Sequence, residues 1–189
     1  MLKSEARKIL KQKRSDLSTK EKRKLDDLLL IQFQKVSLPY ISCLLSYWPI
    51  EDYNEPNTHL FTDYIEFMNP KLKVCYPRTN FNANSMEAIL TQEGASFMKN
   101  QYGISEPKDG MIVDPSLLDM IFVPLLVFDI KGNRAGYGKG FYDRFLALCR
   151  PDCLKIGFSF FDPVDKIDDT GDFDIPLDLC VTPAKTYVF

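Results

Sequence analysis

The 189-residue sequence contains one tryptophan, one histidine and nine glycines, and no pair among its five cysteines has Cys-x-x-Cys spacing. A solitary His59 removes most zinc-site geometries and leaves a single possible member for a Ser-His or Cys-His pair. The odd set Cys43, Cys75, Cys149, Cys153 and Cys180 argues against a disulfide framework. Three of these lie in apolar strand-like runs, so buried free thiols in a reducing compartment are expected. Long apolar runs are also lacking: the longest, Met120 to Phe128, is nine residues, far short of a bilayer span. The N-terminus is charged at Lys3, Glu5, Arg7, Lys8 and Lys11 and has no apolar signal core, so neither secretion nor membrane insertion is expected. A net charge of −2 supplies no global basic field for nucleic acid or an anionic membrane. Any polyanion site must be local. With no repeats or low-complexity linker, and at 45% hydrophobic, the chain has material for one substantial core, and a single domain over residues 1–189 is expected.

Glycine is scarce but concentrated. Gly132, Gly136, Gly138 and Gly140 fall between Asp129 and Arg144, among Lys131, Arg134, Lys139 and Arg144. Closely spaced glycines let successive backbone N–H groups turn toward one anion, and the cations neutralise its charge, which is the chemistry of a polyphosphate cradle. The apolar run before the loop reads as a buried strand. Phe141 to Cys149 after it has helical spacing, with Phe141, Phe145 and Leu148 on one stripe and Pro151 as a stop. A helix N-terminus after a strand and a glycine loop suits phosphate. Neither a Walker A motif nor a dinucleotide fingerprint matches: Asn133 stands where the first Walker glycine belongs, and the third glycine of the fingerprint comes one residue early. A surface hairpin with a Gly132-Asn133 turn would explain the glycines for backbone reasons alone.

Elsewhere helix and strand alternate. Helices are expected at 2–14 and 19–36, the second opened by the capping box Ser18-x-x-Glu21, and at 60–68, with Thr58 as a cap and His59 as a first-turn surface residue. Strands are expected at 41–48, 72–76, 86–90, 118–128, 154–160, 179–182 and 186–189, which makes an α/β sheet flanked by helices. In the first helix Lys3, Arg7, Lys11 and Arg14 form one cationic stripe opposite Leu2, Ala6, Ile9 and Leu10. By itself that stripe is an ordinary solvated face.

The run Gly132 to Arg144, preceded by Val123-Pro124 and Phe128-Asp129, resembles the signature of the 5-formyltetrahydrofolate cyclo-ligases, also called methenyltetrahydrofolate synthetases. The likeness extends to Lys3-x-x-x-Arg7, Glu55-Pro-Asn-Thr58, Tyr76-Pro77-Arg78, Gly103-Ile-Ser-Glu-Pro107, Asp174-Ile-Pro-Leu-Asp178 and Val181-Thr182. It implies a three-layer α/β/α sandwich with a central mixed, mostly parallel sheet, resembling sugar-phosphate isomerases and CoA transferases, with the site at one end of the sheet. It further implies a cytoplasmic monomer or homodimer without a nucleic-acid or membrane partner.

The implied reaction is the ATP- and magnesium-dependent closure of 5-formyltetrahydrofolate to 5,10-methenyltetrahydrofolate with release of ADP and phosphate. On this likeness ATP would lie against Lys3, Arg7 and the run Arg134, Ala135, Gly136, Tyr137, Gly138, Lys139, Gly140, Phe141 and Tyr142. Folate would meet Ile50, Glu55, Tyr137, Gly138, Lys139, Gly140 and Phe141. Arg134, Lys139 and Tyr142 are the implied catalytic groups, with Arg144 serving phosphate or a structural ion pair and Arg14 as a further candidate. Phe141 is either a folate contact or a core side chain. Asp143 and Asp174 are the implied magnesium ligands, although Asp143 could instead favour the helix dipole. One departure stands out: relatives commonly have His-Asp where this chain has Phe173-Asp174. The other acids of that stretch, Asp162, Asp165, Asp168, Asp169, Asp172 and Asp178, read mostly as solvated loop charges. Two rival functions are a nucleotide-binding module without catalysis and a sugar-phosphate isomerase, which would need a proton-abstracting base and no ATP.

Overall fold

The computed structural model describes residues 1–189. Helices α1 (Lys3–Ser15) and α2 (Thr19–Phe33) precede strand β1 (Cys43–Leu45), and α3 (Thr58–Met68) leads to β2 (Lys73–Asn80), which turns back as β3 (Ser85–Leu90). Three short strands follow, β4 (Phe97–Lys99), β5 (Ser105–Pro107) and β6 (Met111–Val113), and then β7 (Met120–Phe122). A small hairpin of β8 (Val127–Phe128) and β9 (Arg134–Ala135) precedes α4 (Phe141–Leu146) and the strands β10 (Leu154–Phe158), β11 (Leu179–Val181) and β12 (Thr186–Val188).

Eight strands form one mixed sheet in the order β12-β11-β10-β7-β1-β2-β3-β6. The five in the middle, β11 to β2, run parallel, and antiparallel strands close both edges. Side chains alternate across the pleat. Leu44, Met120 and Phe122 point into a core with Leu29 and Phe33 of α2 and Phe61 and Ile65 of α3. Cys43, Leu45 and Ile121 face the other side, where Phe145 and Leu146 of α4 pack. Helices on both faces are why the middle strands read as continuous apolar runs.

The capping box of α2 forms as expected: the Glu21 amide donates to Ser18 Oγ at 3.3 Å, and the Ser18 amide donates to Glu21 Oε2 at 2.9 Å. Helix α2 ends at Phe33, three residues short of the expected end at Val36. The expected strand 118–128 is broken. Its ladder runs through Val123, whose amide donates to Ile156 O, and then meets Pro124, which has no N–H to continue it. Residues 127–128 instead pair with 134–135. Gly132-Asn133 is therefore the turn of that hairpin, held by the buried Asp129 carboxylate, which accepts from the amides of Lys131 and Asn133. At Gly132, with φ of +82°, a Cβ would lie 2.7 Å from the Phe189 ring, so Gly132 serves the turn and stands apart from the glycines at 136–140.

Two helix expectations are corrected. Asn57, not Thr58, caps α3 by accepting from the His59 amide, while Thr58 is buried and donates to Tyr47 O at 2.5 Å. His59 is half-buried edge-on against Trp48, and burial lowers its imidazole below the usual range. Helix α4 stops at Leu146, so Leu148 is exposed instead of sharing a buried stripe with Phe145. All five cysteines are free, four of them buried.

Candidate active site

The chain passes from β1 to β2 on one side of the sheet and from β7 to β10 on the other, although β1 and β7 are neighbours. In open parallel sheets such a reversal leaves a crevice beyond the carboxyl ends of the strands. A cleft of about 450 Å³ opens there, within the size range of pockets that take drug-sized ligands. Its floor comes from the segments after β1 (Tyr47, Trp48, Ile50) and after β7 (Pro124), together with Pro77 and Thr79 at the end of β2. Helix α1 and the loop 136–140 form its rim.

One end of the cleft is cationic. Arg7 Nε donates to Gly136 O at 2.7 Å, and its guanidinium lies flat against Gly138, where a Cβ would sit 3.2 Å from Arg7 Cζ. Gly138 and Gly140 have φ of +91° and +67°, so two of the loop glycines are required by backbone conformation. Lys3 Nζ reaches Asp174 Oδ2 at 2.5 Å, which joins α1 to the segment after Gly171. Burial pushes the Asp174 carboxyl up, but Lys3, the Gly171 amide and Arg134 outweigh it and hold the group below the usual aspartate range. Arg134, on β9, is almost fully buried and donates to Ile175 O and, at 2.9 Å, to Asp143 Oδ1. Burial pushes its guanidinium down from its ordinary value and Asp143 pushes back, so it remains charged. Asp143 Oδ1 also accepts from the Ile175 amide at 3.1 Å, so the carboxylate, in the first turn of α4, is also part of a tertiary ion pair. Lys139 is exposed at the mouth, its Nζ 5.3 Å from the centre of the Tyr102 ring.

The opposite end is aromatic around one buried acid. Glu55, 2% exposed, accepts from the Ile50 amide at 2.8 Å on Oε2 and from the Tyr137 hydroxyl at 2.5 Å on Oε1. Burial raises its pKa, while Arg14, the Tyr137 hydroxyl and the Ile50 amide oppose the rise. Tyr53 and Tyr137 lie 5.6 Å apart and 30° from parallel, and Phe81 meets Tyr102 and Phe141 at 5.1 and 5.8 Å. The Tyr142 hydroxyl is buried in the wall without a protein partner, and burial pushes its pKa well up.

The structure therefore brings Lys3, Arg7, Ile50, Glu55, the run 134–143 and Asp174 to one cleft. It leaves out Arg144, whose guanidinium donates to Asn84 and to Lys139 O and makes no ion pair. Arg14 is also outside: it is 2% exposed, on the buried stripe Ala6, Leu10, Arg14, while Leu2 and Ile9 are exposed.

A protein-family model for the 5-formyltetrahydrofolate cyclo-ligases matches residues 2–160. The chain belongs to this family. It is 30% identical to the 5-formyltetrahydrofolate cyclo-ligase of Mycoplasma genitalium over 94% of its own length and 97% of that protein. The 5,10-methenyltetrahydrofolate synthetase of Aquifex aeolicus superposes with a TM-score of 0.81 at 30% identity, covering 100% of this chain and 93% of that one. The corresponding synthetase of Mycoplasma pneumoniae gives 0.74 at 27% identity, over 96% and 98% of the two chains. Family membership makes the chain an enzyme of the ligase class. The family match ends before Asp174, which the fold brings to the cleft through Lys3.

Several lining residues were missed in the sequence. Glu106, within Gly103-Ile-Ser-Glu-Pro107, is 6% exposed and accepts from the Thr79 amide at 3.1 Å. Trp48, Tyr53, Phe81, Tyr102 and Lys11 also line the cleft, and nothing in their local sequence separates them from ordinary core or surface residues. Only the meeting of three loops with α1 marks them.

Proposed function

We propose that the chain closes 5-formyltetrahydrofolate to 5,10-methenyltetrahydrofolate with ATP, releasing ADP and phosphate. The observation that carries this is the division of one cleft into a cationic, glycine-lined end and an aromatic end holding a buried carboxylate. Phosphate and a flat pterin have opposite requirements, and the two ends match them separately.

At the aromatic end the Glu55 carboxylate accepts the paired N–H donors of the pterin edge, with Tyr137, Phe141 and Ile50 against its faces. At the other end Lys3, Arg7 and Lys139 meet the triphosphate, and the loop Ala135 to Gly140 lets it approach the backbone. A formamide oxygen is a poor leaving group. It attacks the terminal phosphorus of ATP, ADP departs, and the formyl carbon becomes an imidate-like phosphate ester. The second folate nitrogen then bonds to that carbon, its proton passes to an oxygen of the departing phosphate, and the C–O bond breaks, releasing phosphate. Arg134 and Lys139 stabilise charge on the transferred group, and the partnerless Tyr142 hydroxyl is free to donate to it. Phosphoryl transfer of this kind asks mainly for positioning and charge stabilisation, which fits a site without a dedicated general base.

Magnesium suits the cationic end. Asp143 and Asp174 each engage protein donors through one oxygen, leaving Asp143 Oδ2 and Asp174 Oδ1 as hard ligands. Two carboxylates completed by waters and phosphate oxygens make a common magnesium shell, and the ion would neutralise charge on the transferred phosphoryl group. A cytoplasmic setting fits five free thiols, with residues 1–189 acting as one domain. No helix is long and apolar enough to cross a membrane.

The direct test mixes the protein with 5-formyltetrahydrofolate and Mg-ATP and follows absorbance at the methenyl-folate band. The band should grow only when both ATP and a divalent ion are present. Its growth with EDTA and no nucleotide would rule the proposal out. Phosphate release from ATP without folate would favour an ATPase instead.

A further inference from the structure

Arg14 is the largest fully buried polar side chain in the protein and forms no salt bridge with any carboxylate. Its Nη2 donates to Leu125 O at 2.5 Å, its Nη1 to the Tyr137 hydroxyl at 3.4 Å, and its Nε has no partner. A guanidinium can only donate, so the Tyr137 oxygen must accept from it, and the single Tyr137 proton is directed to Glu55 Oε1. Glu55 Oε2 accepts from the Ile50 amide, so both carboxylate oxygens act as acceptors. That pattern fits the ionised acid and leaves lone pairs for further N–H donors. The chain end of α1 is fastened to the same place: Asn54, left-handed at φ of 46° and next to Glu55, donates its side-chain amide to Arg14 O at 2.8 Å.

We propose that Arg14 is a positioning residue for the folate subsite: through the Tyr137 hydroxyl it holds the Glu55 carboxylate ionised and oriented to accept the pterin edge. The proposal rests on the pterin-binding role of Glu55 set out above. Glu55 is faced by Arg14 from α1, Lys22 from α2, Tyr47 and the Ile50 amide from the segment after β1, Tyr137 from the glycine loop and Tyr142 from α4. Arg14 and Lys22 are the cations in that set, and Arg14 acts more strongly. Burial favours the neutral acid, and Arg14 offsets it. Removing Arg14 must therefore raise the pH at which Glu55 loses its charge.

Calorimetric titrations with 5-formyltetrahydrofolate between pH 5 and 8, with ATP titrations as an internal control, test this. Arg14→Gln should weaken folate binding, with a loss that approaches about tenfold toward the low end of that range, the equivalent of one pKa unit, and leave ATP affinity unchanged. The ratio of variant to wild-type affinity should fall as pH drops, which cancels the titration of folate itself. Arg14→Lys should restore much of the pH profile. Tyr137→Phe, which keeps the ring and cuts the relay, should shift the profile in the same direction and decides the matter if Arg14→Gln does not fold. Wild-type folate affinity and pH profile in Arg14→Gln, or in Tyr137→Phe, would overturn the proposal while Glu55→Gln still loses folate. Unaltered folate binding in Glu55→Gln would instead remove the pterin assignment itself.

Discussion

Asp143 shows how the fold gives a residue partners that its local sequence does not name. In sequence it sits in the first turn after a glycine loop, where a carboxylate commonly favours the helix dipole. In the fold its Oδ1 bonds Arg134 and the Ile175 amide, and its Oδ2 is uncommitted. Asp143→Asn keeps an acceptor for Ile175 but removes the charge opposite a buried guanidinium. The loss of a charged hydrogen bond, about 2 kcal/mol, corresponds to a melting point lower by roughly 4–8 °C for a chain of this size. Turnover should fall by at least about a hundredfold, the order seen when one preorganised charge-stabilising group is removed. Raised magnesium should recover part of that rate. Circular dichroism melting and a magnesium titration of the methenyl-folate rate separate the two effects, and normal turnover in a variant that melts early would leave Asp143 a purely structural partner of Arg134. Arg14 carries the residue-scale lesson in the other direction. Following Lys11 by three puts it on a cationic stripe, yet it also follows Leu10 by four, and that second relation to the buried stripe is the one the fold uses.

At the scale of elements, α1 and the glycine loop depend on each other. A Cβ at Gly138 would sit 3.2 Å from Arg7 Cζ, tight enough that the guanidinium would have to shift, and the left-handed conformation there disfavours any other residue. Gly138→Ala should therefore displace Arg7 and strain the loop together. ATP affinity should fall by about tenfold or more, the equivalent of about 1.4 kcal/mol, while folate affinity, proposed to rest on Glu55 at the other end, should change by less than about threefold. Parallel titrations with the two ligands check this, and an equal loss of both would mean that the ends are not independent. The short β8–β9 hairpin shows why both readings of the glycine motif apply, each to a different part of it. Two functions share one run of sequence, a turn at Gly132-Asn133 and a loop from Gly136 to Gly140, and spacing alone does not divide them.

For the whole molecule, the cleft is bounded by distant parts of the chain, from Lys3 to Asp174, so a ligand that spans it should oppose global unfolding. Mg-ATP at about one hundred times its dissociation constant should stabilise the protein by about 2.7 kcal/mol, seen as a higher unfolding midpoint in urea. EDTA should abolish the part of this gain that depends on the metal; a gain unaffected by EDTA would count against Asp143 and Asp174 as ligands. The sequence by itself determined the apolar middle strands, the capped second helix, the family and the identity of the groups at the cationic end. These are local or chemical properties: a buried strand must be apolar, a capping box spans four residues, and a phosphate loop needs glycine and cations together. Tertiary structure alone decided where β7 stops, which strands close the sheet edges, and that Glu106, Trp48, Tyr53, Phe81 and Tyr102 share a wall with Glu55. It also decided the partners of Arg14, Arg134 and Asp143. Those outcomes depend on contacts between residues far apart in sequence, and the free energy of burying or pairing a charge is defined only once its neighbours are in place.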